Sequence, residues 1–185
     1  MSVIVIEFIS LDGIVSDPDG REGTPGGGWA FRHGPEEVAG DKFRLGSVLD
    51  QGVMLLGRKT WQMFSQIWPG RDSPFAARMN AVPKLVVSRT LTDTSAWAHS
   101  EVIGSDPAAA VAQERRDVII TGSLNVVHAL MAKDLIDEYR LLTFPTILGA
   151  GQRLFPAGSP AAYLECLSAR QAGAAVYSRY RTAAR

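Results

Sequence analysis

The sequence predicts an α/β fold built on an open sheet. Three short apolar runs lack a helical period and end in glycine, hydroxyl or cationic residues; they cover residues 53–56, 85–87 and 118–120. The first is followed directly by a helical pattern that begins at Arg58. The third is followed by the turn Gly122-Ser123-Leu124-Asn125 and a helical pattern from Val126. Buried strands that alternate with helices are typical of α/β proteins, whose ligands generally bind at the carboxyl ends of the strands.

Length and charge limit the possible organisation and partners. The chain has 185 residues, of which 46% are hydrophobic, so we expect one domain over residues 1–185 with a substantial core. Its 19 basic and 19 acidic residues give a formal net charge of zero, and neither sign forms a long run. This balance does not suggest a nucleic-acid or membrane partner, so any anion site must be local.

Cysteine and histidine usage limits the chemistry further. Cys166 is the only cysteine, which excludes an internal disulfide and fits a reducing cytoplasm. His33, His99 and His128 are scattered without ligand spacing, so we predict no metal site. No apolar run approaches the roughly 20 residues that a membrane span needs. We therefore expect an unexported, cytoplasmic protein.

The chain begins with a predicted central strand over residues 3–9, which leaves through a turn at Asp12-Gly13. Residues 17–34 are too rich in glycine and proline for regular structure, and a loop this long is usually functional or mobile. Trp29 and Phe31 lie near its end. Because large aromatic side chains are costly to expose, we expect these two to line a cleft or an interface.

Residues 35–50 are predicted to form a helix, since Pro35 and two carboxylates occupy its first turn. On a 3.6-residue period, Asp41 falls on the face of its apolar residues, and Leu45 is a candidate cleft wall. A carboxylate in that position must be neutral, paired, or directed into a polar cavity. It therefore serves either as a functional acid or as the partner of a nearby cation, and Glu37, at the edge of the face, is the second candidate acid.

The remaining elements follow from the same patterns. Helices are predicted over residues 58–66, 107–115 and 126–133, a helical turn over 75–80, and strands over 84–87, 101–103 and 118–121. The stretch from 71 to 82 is otherwise expected to be a loop.

Three predicted strand ends carry groups that suit phosphates. These groups are Gly57, Arg58, Lys59 and Thr60 at the first, Ser88 and Arg89 at the second, and Gly122 and Ser123 at the third. A helix that begins at a strand end offers free backbone N–H groups to an anion, and Ser123 is also a potential cap of the following helix. Each turn alone could be an ordinary β–α connection with solvated basic residues. Taken together, they favour a dinucleotide with an extra 2′-phosphate, so we expect NADPH rather than NADH.

The order of several motifs resembles the dihydrofolate-reductase-like superfamily, in the branch similar to the reductase domain of the bacterial bifunctional riboflavin biosynthesis protein. The motifs are Ser10-Leu11-Asp12-Gly13, Leu55-Leu56-Gly57-Arg58-Lys59-Thr60, Pro83-Lys84-Leu85-Val86-Val87-Ser88-Arg89-Thr90-Leu91, Ile120-Thr121-Gly122-Ser123, and Asp137-Glu138-Tyr139 with Pro145 and Leu148-Gly149-Ala150-Gly151-Gln152-Arg153-Leu154-Phe155. The ordinary Gly-x-Gly-x-x-Gly fingerprint of dinucleotide-binding domains is absent from the required context.

This resemblance implies a three-layer fold with a mostly parallel sheet of about eight strands and helices on both faces. It implies a C-terminal antiparallel pair over residues 163–169 and 174–181, and a homodimer formed partly through these strands. It also implies bound NADPH. Arg58, Ser88 and Arg89 match the 2′-phosphate site, and Lys59, Thr60, Gly122, Ser123 and Leu124 match the pyrophosphate clamp. Ile14, Val15 and Ser16 match the segment beside the nicotinamide.

The chemistry that such a site supports is hydride transfer to a small heterocycle, imine or carbonyl compound. The atom next to the carbon that is reduced must gain a proton, so a carboxyl group is needed nearby. In dihydrofolate reductases this group lies on the first helix, and Asp41 precedes the Gly57-Arg58 turn by a comparable interval. The alternative is a protein that binds the nucleotide but has lost the reductase chemistry.

Overall fold

The central sheet combines parallel strands with an antiparallel hairpin at one end. The structure, a computed structural model, describes residues 1–159 and 161–183. Within these residues the eight strands are β1 (Val3–Ser10), β2 (Val53–Gly57), β3 (Lys84–Val87), β4 (Ser100–Ile103), β5 (Val118–Thr121), β6 (Glu138–Phe144), β7 (Leu164–Ala172) and β8 (Ala175–Thr182). They are ordered β4-β3-β2-β5-β1-β6-β8-β7. The predicted fold class is therefore confirmed.

Five α-helices lie in the same described residues: α1 (Ser47–Gln51), α2 (Arg58–Ile67), α3 (Pro74–Ala81), α4 (Pro107–Gln113) and α5 (Leu124–Met131). Two short 3₁₀ helices cover Phe31–His33 and Pro35–Glu37. Helix α3 is longer than the helical turn predicted over residues 75–80. Ser73 caps its start by accepting a hydrogen bond from the Ala76 N–H at 3.1 Å.

The chain divides into two compact units. The first comprises Met1–Val5 and Leu45–Asp137, and the second comprises Ile6–Arg44 and Glu138–Arg185. The single domain expected over residues 1–185 remains a prediction.

The first unit is organised around strand β2. It pairs in parallel with β3 on one side and β5 on the other, and β3 pairs in parallel with β4. Residues 53–56 of β2 are fully buried, which explains why this run has no polar alternation.

The second unit is organised around the antiparallel strands β6, β8 and β7. One face of β6 and β8 carries a core of six buried residues: Trp29, Ala30, Leu142, Phe144, Ala175 and Tyr177. Phe8 and Phe43 pack against this core with their rings stacked 5.3 Å apart. The glycine-rich loop therefore contributes to the core through its end.

The prediction of a helix over residues 35–50 is wrong. Only the 3₁₀ helix Pro35–Glu37 and the five-residue helix α1 form, with an irregular segment between them. Positive φ angles at Gly40 (75°), Arg44 (50°) and Gly46 (51°) interrupt the helical path. Asp41 lies in this irregular segment, so it has no place on a helix face.

Candidate active site

Strands β3, β2 and β5 are parallel, so their carboxyl ends lie on the same side of the first unit, where the strands end. Val87 is the register partner of Gly57, so the residues that follow these two strands begin at the same level. Strands β2 and β5 pair Met54 with Ile119, and the Gly57 N–H at the end of β2 reaches Ser123, just after β5. We call residues 57–60, 88–89 and 122–124 the strand-end cluster.

Two hydroxyl groups join the turns after β2 and β5. The Gly57 N–H donates to Ser123 Oγ at 2.9 Å, and the Ser123 N–H donates to Thr60 Oγ1 at 3.0 Å. Ser123 occupies the N-cap position of α5 in a left-handed conformation. Its side chain makes no capping hydrogen bond, so the prediction of a side-chain cap is wrong. Its hydroxyl instead fixes the start of α2 against the start of α5.

Gly122 is required for this close approach. Its φ of 56° is a left-handed conformation, and a Cβ atom built on it would lie 3.1 Å from Thr60 Cγ2. A larger residue would therefore push Thr60 away and weaken the hydrogen bond from Ser123.

The strand-end cluster offers several cationic and N–H donors. Arg58, Lys59 and Arg89 have exposed side chains, and Arg58 donates a hydrogen bond at 3.3 Å to Gln62 Oε1. The first N–H groups of α2 have no partner within the helix, which makes its start suitable for an anion. Ser88 Oγ accepts from the N–H groups of Thr90 and Leu91, so it shapes the turn that carries Arg89.

In the second unit, Ile14, Val15 and Ser16 are clamped by the segment after β6. Val15 N–H donates to Gln152 O at 2.9 Å, and Gln152 N–H donates to Ser16 Oγ at 3.0 Å. Ile14 and Val15 are buried. The backbone of this segment is therefore fixed by protein contacts.

Asp12, which the sequence indicates only as a turn residue, holds the Leu148-Gly149 turn. Its carboxylate accepts hydrogen bonds from Ser10 Oγ at 2.7 Å, from the Gly149 N–H at 2.8 Å and from the Leu148 N–H at 3.2 Å. The bond from Ser10 and then that from Gly149 contribute most to lowering the pKa of Asp12 to about 2. The sequence contains both motifs, Ser10-Leu11-Asp12-Gly13 and Leu148-Gly149-Ala150-Gly151, but their spacing alone does not predict that Asp12 binds the second.

The two candidate acids have different surroundings. Glu37 Oε2 accepts a hydrogen bond from the Ala174 N–H at 3.0 Å, so this carboxylate secures the turn between β7 and β8. Asp41 is half-buried and begins a turn that is closed by a hydrogen bond from the Arg44 N–H to Asp41 O at 3.1 Å. The catalytic roles of both residues remain predictions.

The candidate cleft residues differ in exposure. Trp29 is 1% exposed, packs edge-on against Phe144, and donates through Nε1 to Ser16 O at 3.0 Å. Trp29 therefore lies in the core and not at an open surface. The sequence pattern alone suggested that it lines a cleft or an interface. Leu45, in the first unit, is also buried, whereas Phe31 is exposed.

A buried ion network on β6 and β8 has no counterpart in the sequence-based predictions. Glu138 Oε1 accepts from Arg140 Nε at 2.6 Å and from Arg179 Nε at 2.8 Å, and Glu138 Oε2 accepts from Arg179 Nη2 at 3.0 Å. Burial opposes ionisation of Glu138, but the hydrogen bonds from Arg179 and Arg140 outweigh it and keep the pKa below its usual value. Sequence spacing places Glu138 and Arg140 on one strand face but does not reveal the partner on β8.

Residues 1–159 and 161–183 contain neither a candidate metal site nor a candidate membrane span. No group of three or more His, Cys, Asp or Glu side chains there is arranged to hold a metal ion. None of the helices there combines the length and apolar character that a membrane span requires.

Residues 1–178 match the family model of the RibD C-terminal domain. Among solved structures, a protein assigned to riboflavin biosynthesis from Shewanella sp. PV-4 is similar over 100% of both chains, with a TM-score of 0.73 and 19% identity. A pyrimidine reductase-like protein from Corynebacterium diphtheriae is similar over 100% of this chain and 92% of its own, with a TM-score of 0.63 and 12% identity. Because both identities are below 25%, these similarities show that the chain shares the fold of the two structures and no more. No curated protein matches the chain at a significant level.

Proposed function

Because the chain belongs to the RibD C-terminal domain family, we propose that it is an NADPH-dependent reductase. Its substrate is a small heterocycle of the pterin or pyrimidine kind, or a related imine or carbonyl compound. The observation that carries the proposal is the strand-end cluster, where exposed cations and helix N–H groups meet at one sheet edge. The family membership and the pyrimidine reductase-like neighbour support the reaction class.

The strand-end cluster fits the phosphates of NADPH in two parts. Arg58, Ser88 and Arg89 bind the 2′-phosphate, since exposed guanidinium groups form strong charged hydrogen bonds with phosphate. Lys59 and the amides at the starts of α2 and α5 bind the pyrophosphate. Thr60 and Ser123 contribute by holding the two turns together, because their hydroxyl oxygens accept from protein amides.

In this proposal Ile14, Val15 and Ser16 form the wall beside the nicotinamide, and Asp41 supplies the proton. The bound cofactor supplies the hydride. The clamp from Gln152 keeps the wall rigid, and Asp41, with Glu37 as second candidate, delivers a proton to the substrate atom next to the reduced carbon. Glu37 remains the second candidate, as the sequence pattern predicts, and its carboxylate accepts from the Ala174 N–H.

Titration with NADPH and NADH tests the cofactor assignment. We expect Arg89→Ala to weaken NADPH binding about 10-fold to 150-fold, since a charged hydrogen bond contributes roughly 1.5–3 kcal/mol, and to leave NADH binding nearly unchanged. Arg115→Ala is the control, because Arg115 is equally exposed but precedes β5 and lies outside the strand-end cluster. Equal losses for NADPH and NADH in Arg89→Ala would exclude a 2′-phosphate contact.

The second candidate function is a protein that binds NADPH without reducing a substrate. In this candidate function the strand-end cluster binds NADPH, but Asp41 has no catalytic role. It predicts tight NADPH binding and no loss of the nicotinamide absorbance when pterin or pyrimidine acceptors are added. Acceptor-dependent oxidation of NADPH that decreases in Asp41→Asn would favour the reductase.

We also propose that the protein works in the cytoplasm as a homodimer. The single cysteine fits a reducing compartment. Strand β7 ends the sheet and is exposed along most of its length, and the large side chain of Tyr163 precedes it. An open edge strand of this kind is a natural surface for a second copy.

A further inference from the structure

The candidate acid Asp41 lies in a turn whose conformation depends on side chains from other elements. The predicted helix does not form there, so helical hydrogen bonds do not fix the segment. The four residues from Asp41 to Arg44 form a single turn, and Arg44 has a positive φ of 50°. A left-handed non-glycine residue persists only where its surroundings enforce it.

Arg140 and Tyr177 hold the end of this turn through its carbonyl groups. Arg140 Nη1 donates to Arg44 O at 2.9 Å and to Phe43 O at 3.3 Å. Tyr177 donates through its hydroxyl to the same Phe43 oxygen at 2.9 Å. The Phe43 ring stacks on Phe8, which adds an apolar contact on the same residue.

Glu138 fixes the direction of the Arg140 side chain. Arg140 is only 5% exposed, and its Nε donates to Glu138, which leaves Nη1 aimed at the two carbonyls. Arg179 binds the same carboxylate through its Nε and Nη2 atoms. The network therefore contains two arginines with equal charge, of which Arg140 is the one that holds the Asp41–Arg44 turn.

We propose that Arg140 is a positioning residue that holds the Asp41–Arg44 turn and thereby sets where the Asp41 carboxyl meets the substrate. This inference rests on the proposed function, in which Asp41 is the proton donor. Arg140 itself touches neither substrate nor cofactor. It acts through the two carbonyls that follow Asp41.

The two arginines allow a matched experiment with Arg140→Met and Arg179→Met. Each variant removes one positive charge and leaves Glu138 with one arginine partner, so neither leaves an unpaired buried carboxylate. Only Arg140→Met removes the hydrogen bonds to the turn. We expect amide hydrogen exchange in residues 41–46 to rise about tenfold or more in Arg140→Met and to change little in Arg179→Met.

The catalytic readout separates positioning from stability. At a temperature where both variants are folded, we expect Arg140→Met to lower kcat about tenfold with NADPH affinity nearly unchanged, and Arg179→Met to retain kcat. Arg140→Lys keeps the charge and one donor group, so it should recover part of the loss. If Arg140→Met does not fold, Tyr177→Phe removes one bond to Phe43 without a change in charge and should shift exchange and kcat in the same direction by less.

Each remaining outcome has a distinct meaning. Equal exchange in the two arginine variants, or faster exchange in Arg140→Met with unchanged kcat, overturns the positioning role. A wild type that binds no NADPH or reduces no acceptor overturns the proposed function and with it the catalytic part of this inference. The exchange comparison still decides in that case whether Arg140 holds the turn.

Discussion

A single carboxylate, Asp12, connects two sequence motifs that are about 136 residues apart. It accepts from Ser10 next to it and from the amides of Leu148 and Gly149. The Leu148-Gly149 turn continues into the segment that clamps Val15 and Ser16. The Asp12 side chain therefore fixes two segments: the residues just before the proposed nicotinamide wall of residues 14–16, and the turn that leads to Gln152, which binds that wall.

The low pKa of Asp12 makes this contribution depend on pH. The pKa is lowered to about 2 in the folded state, so the ionised form is favoured by folding. The stabilisation is complete above the unfolded pKa of about 4 and is lost as the pH falls toward 2. We expect the difference in unfolding free energy between wild type and Asp12→Asn to be constant near neutral pH and to shrink between pH 4 and 2.

Urea denaturation of both proteins at a series of pH values measures this difference. Asp93→Asn is the comparison for local hydrogen bonding. The bonds from Ser95 also lower the pKa of Asp93, so its difference should shrink in the same direction with falling pH, and by less than that of Asp12→Asn. If the difference in unfolding free energy for Asp12→Asn does not vary with pH, the pKa of Asp12 is not lower in the folded state than in the unfolded state.

The contacts of individual side chains are the feature that the sequence predicts least well. Ser123 was correctly placed at a strand end, but its left-handed conformation and its bond to Gly57 depend on a turn 66 residues away in sequence. The sequence predicts that Trp29 lines a cleft or an interface, because a large aromatic side chain is costly to expose. Its burial depends on Phe144 and Tyr177, which are distant in sequence. Such long-range partners leave no local pattern.

At the scale of elements, strands were predicted more accurately than the segment before α1. The runs at β1, β2 and β5 are mostly buried and apolar, so their composition alone identifies them. In β3, buried and half-buried positions alternate. Between residues 35 and 50, apolar residues recur with a helical period, but Gly40 and Gly46 lie inside the pattern. Periodicity describes which residues are buried and does not exclude a path that reaches the same burial through turns.

Gly46 allows a direct test of whether backbone conformation at glycine breaks the predicted helix over residues 35–50. Its φ of 51° and ψ of −130° are strained for any L-residue, while a Cβ atom built on it meets nothing within 4 Å. We therefore expect Gly46→Ala to lower the unfolding free energy by roughly 1–3 kcal/mol through backbone strain alone. Thermal or urea denaturation measures the change.

Gly70→Ala is the matched control for that experiment. A Cβ atom added to Gly70 would also meet nothing within 4 Å, but the φ of Gly70 does not lie in the left-handed range. Its substitution should change stability by less than about 1 kcal/mol. Equal effects at the two positions would mean that backbone conformation does not explain the break in the predicted helix.

At the scale of the whole molecule, the fold and the meeting of the strand ends were the most predictable features. Parallel strands bring their carboxyl ends to one edge, so three polar strand ends in sequence become one cluster in space. Residue order carries this information although the identities to the two solved structures described above are 19% and 12%. The hydrogen bonds that join Thr60, Ser123 and Gly57 add precision that residue order cannot supply.

The open edge of the sheet is the basis for the last prediction, which concerns assembly. Strand β7 has one hydrogen-bonded neighbour in the sheet order, and Tyr163, just before it, is 86% exposed. Leu164 and Val176 on the same hairpin are also exposed. Burying this apolar surface against the same strand of a second copy would satisfy the free strand edge and remove the aromatic ring from water.

Sedimentation velocity tests whether the hairpin forms that contact. We expect wild type to sediment with about twice the 20.0 kDa mass of one chain and Tyr163→Asp to shift toward the monomer, because a carboxylate in an apolar interface is costly to desolvate. Ile147→Asp is the control, since Ile147 is 73% exposed and lies in the loop after β6. A wild type that is monomeric at every concentration, or equal dissociation in the two variants, would exclude the hairpin as the dimer contact.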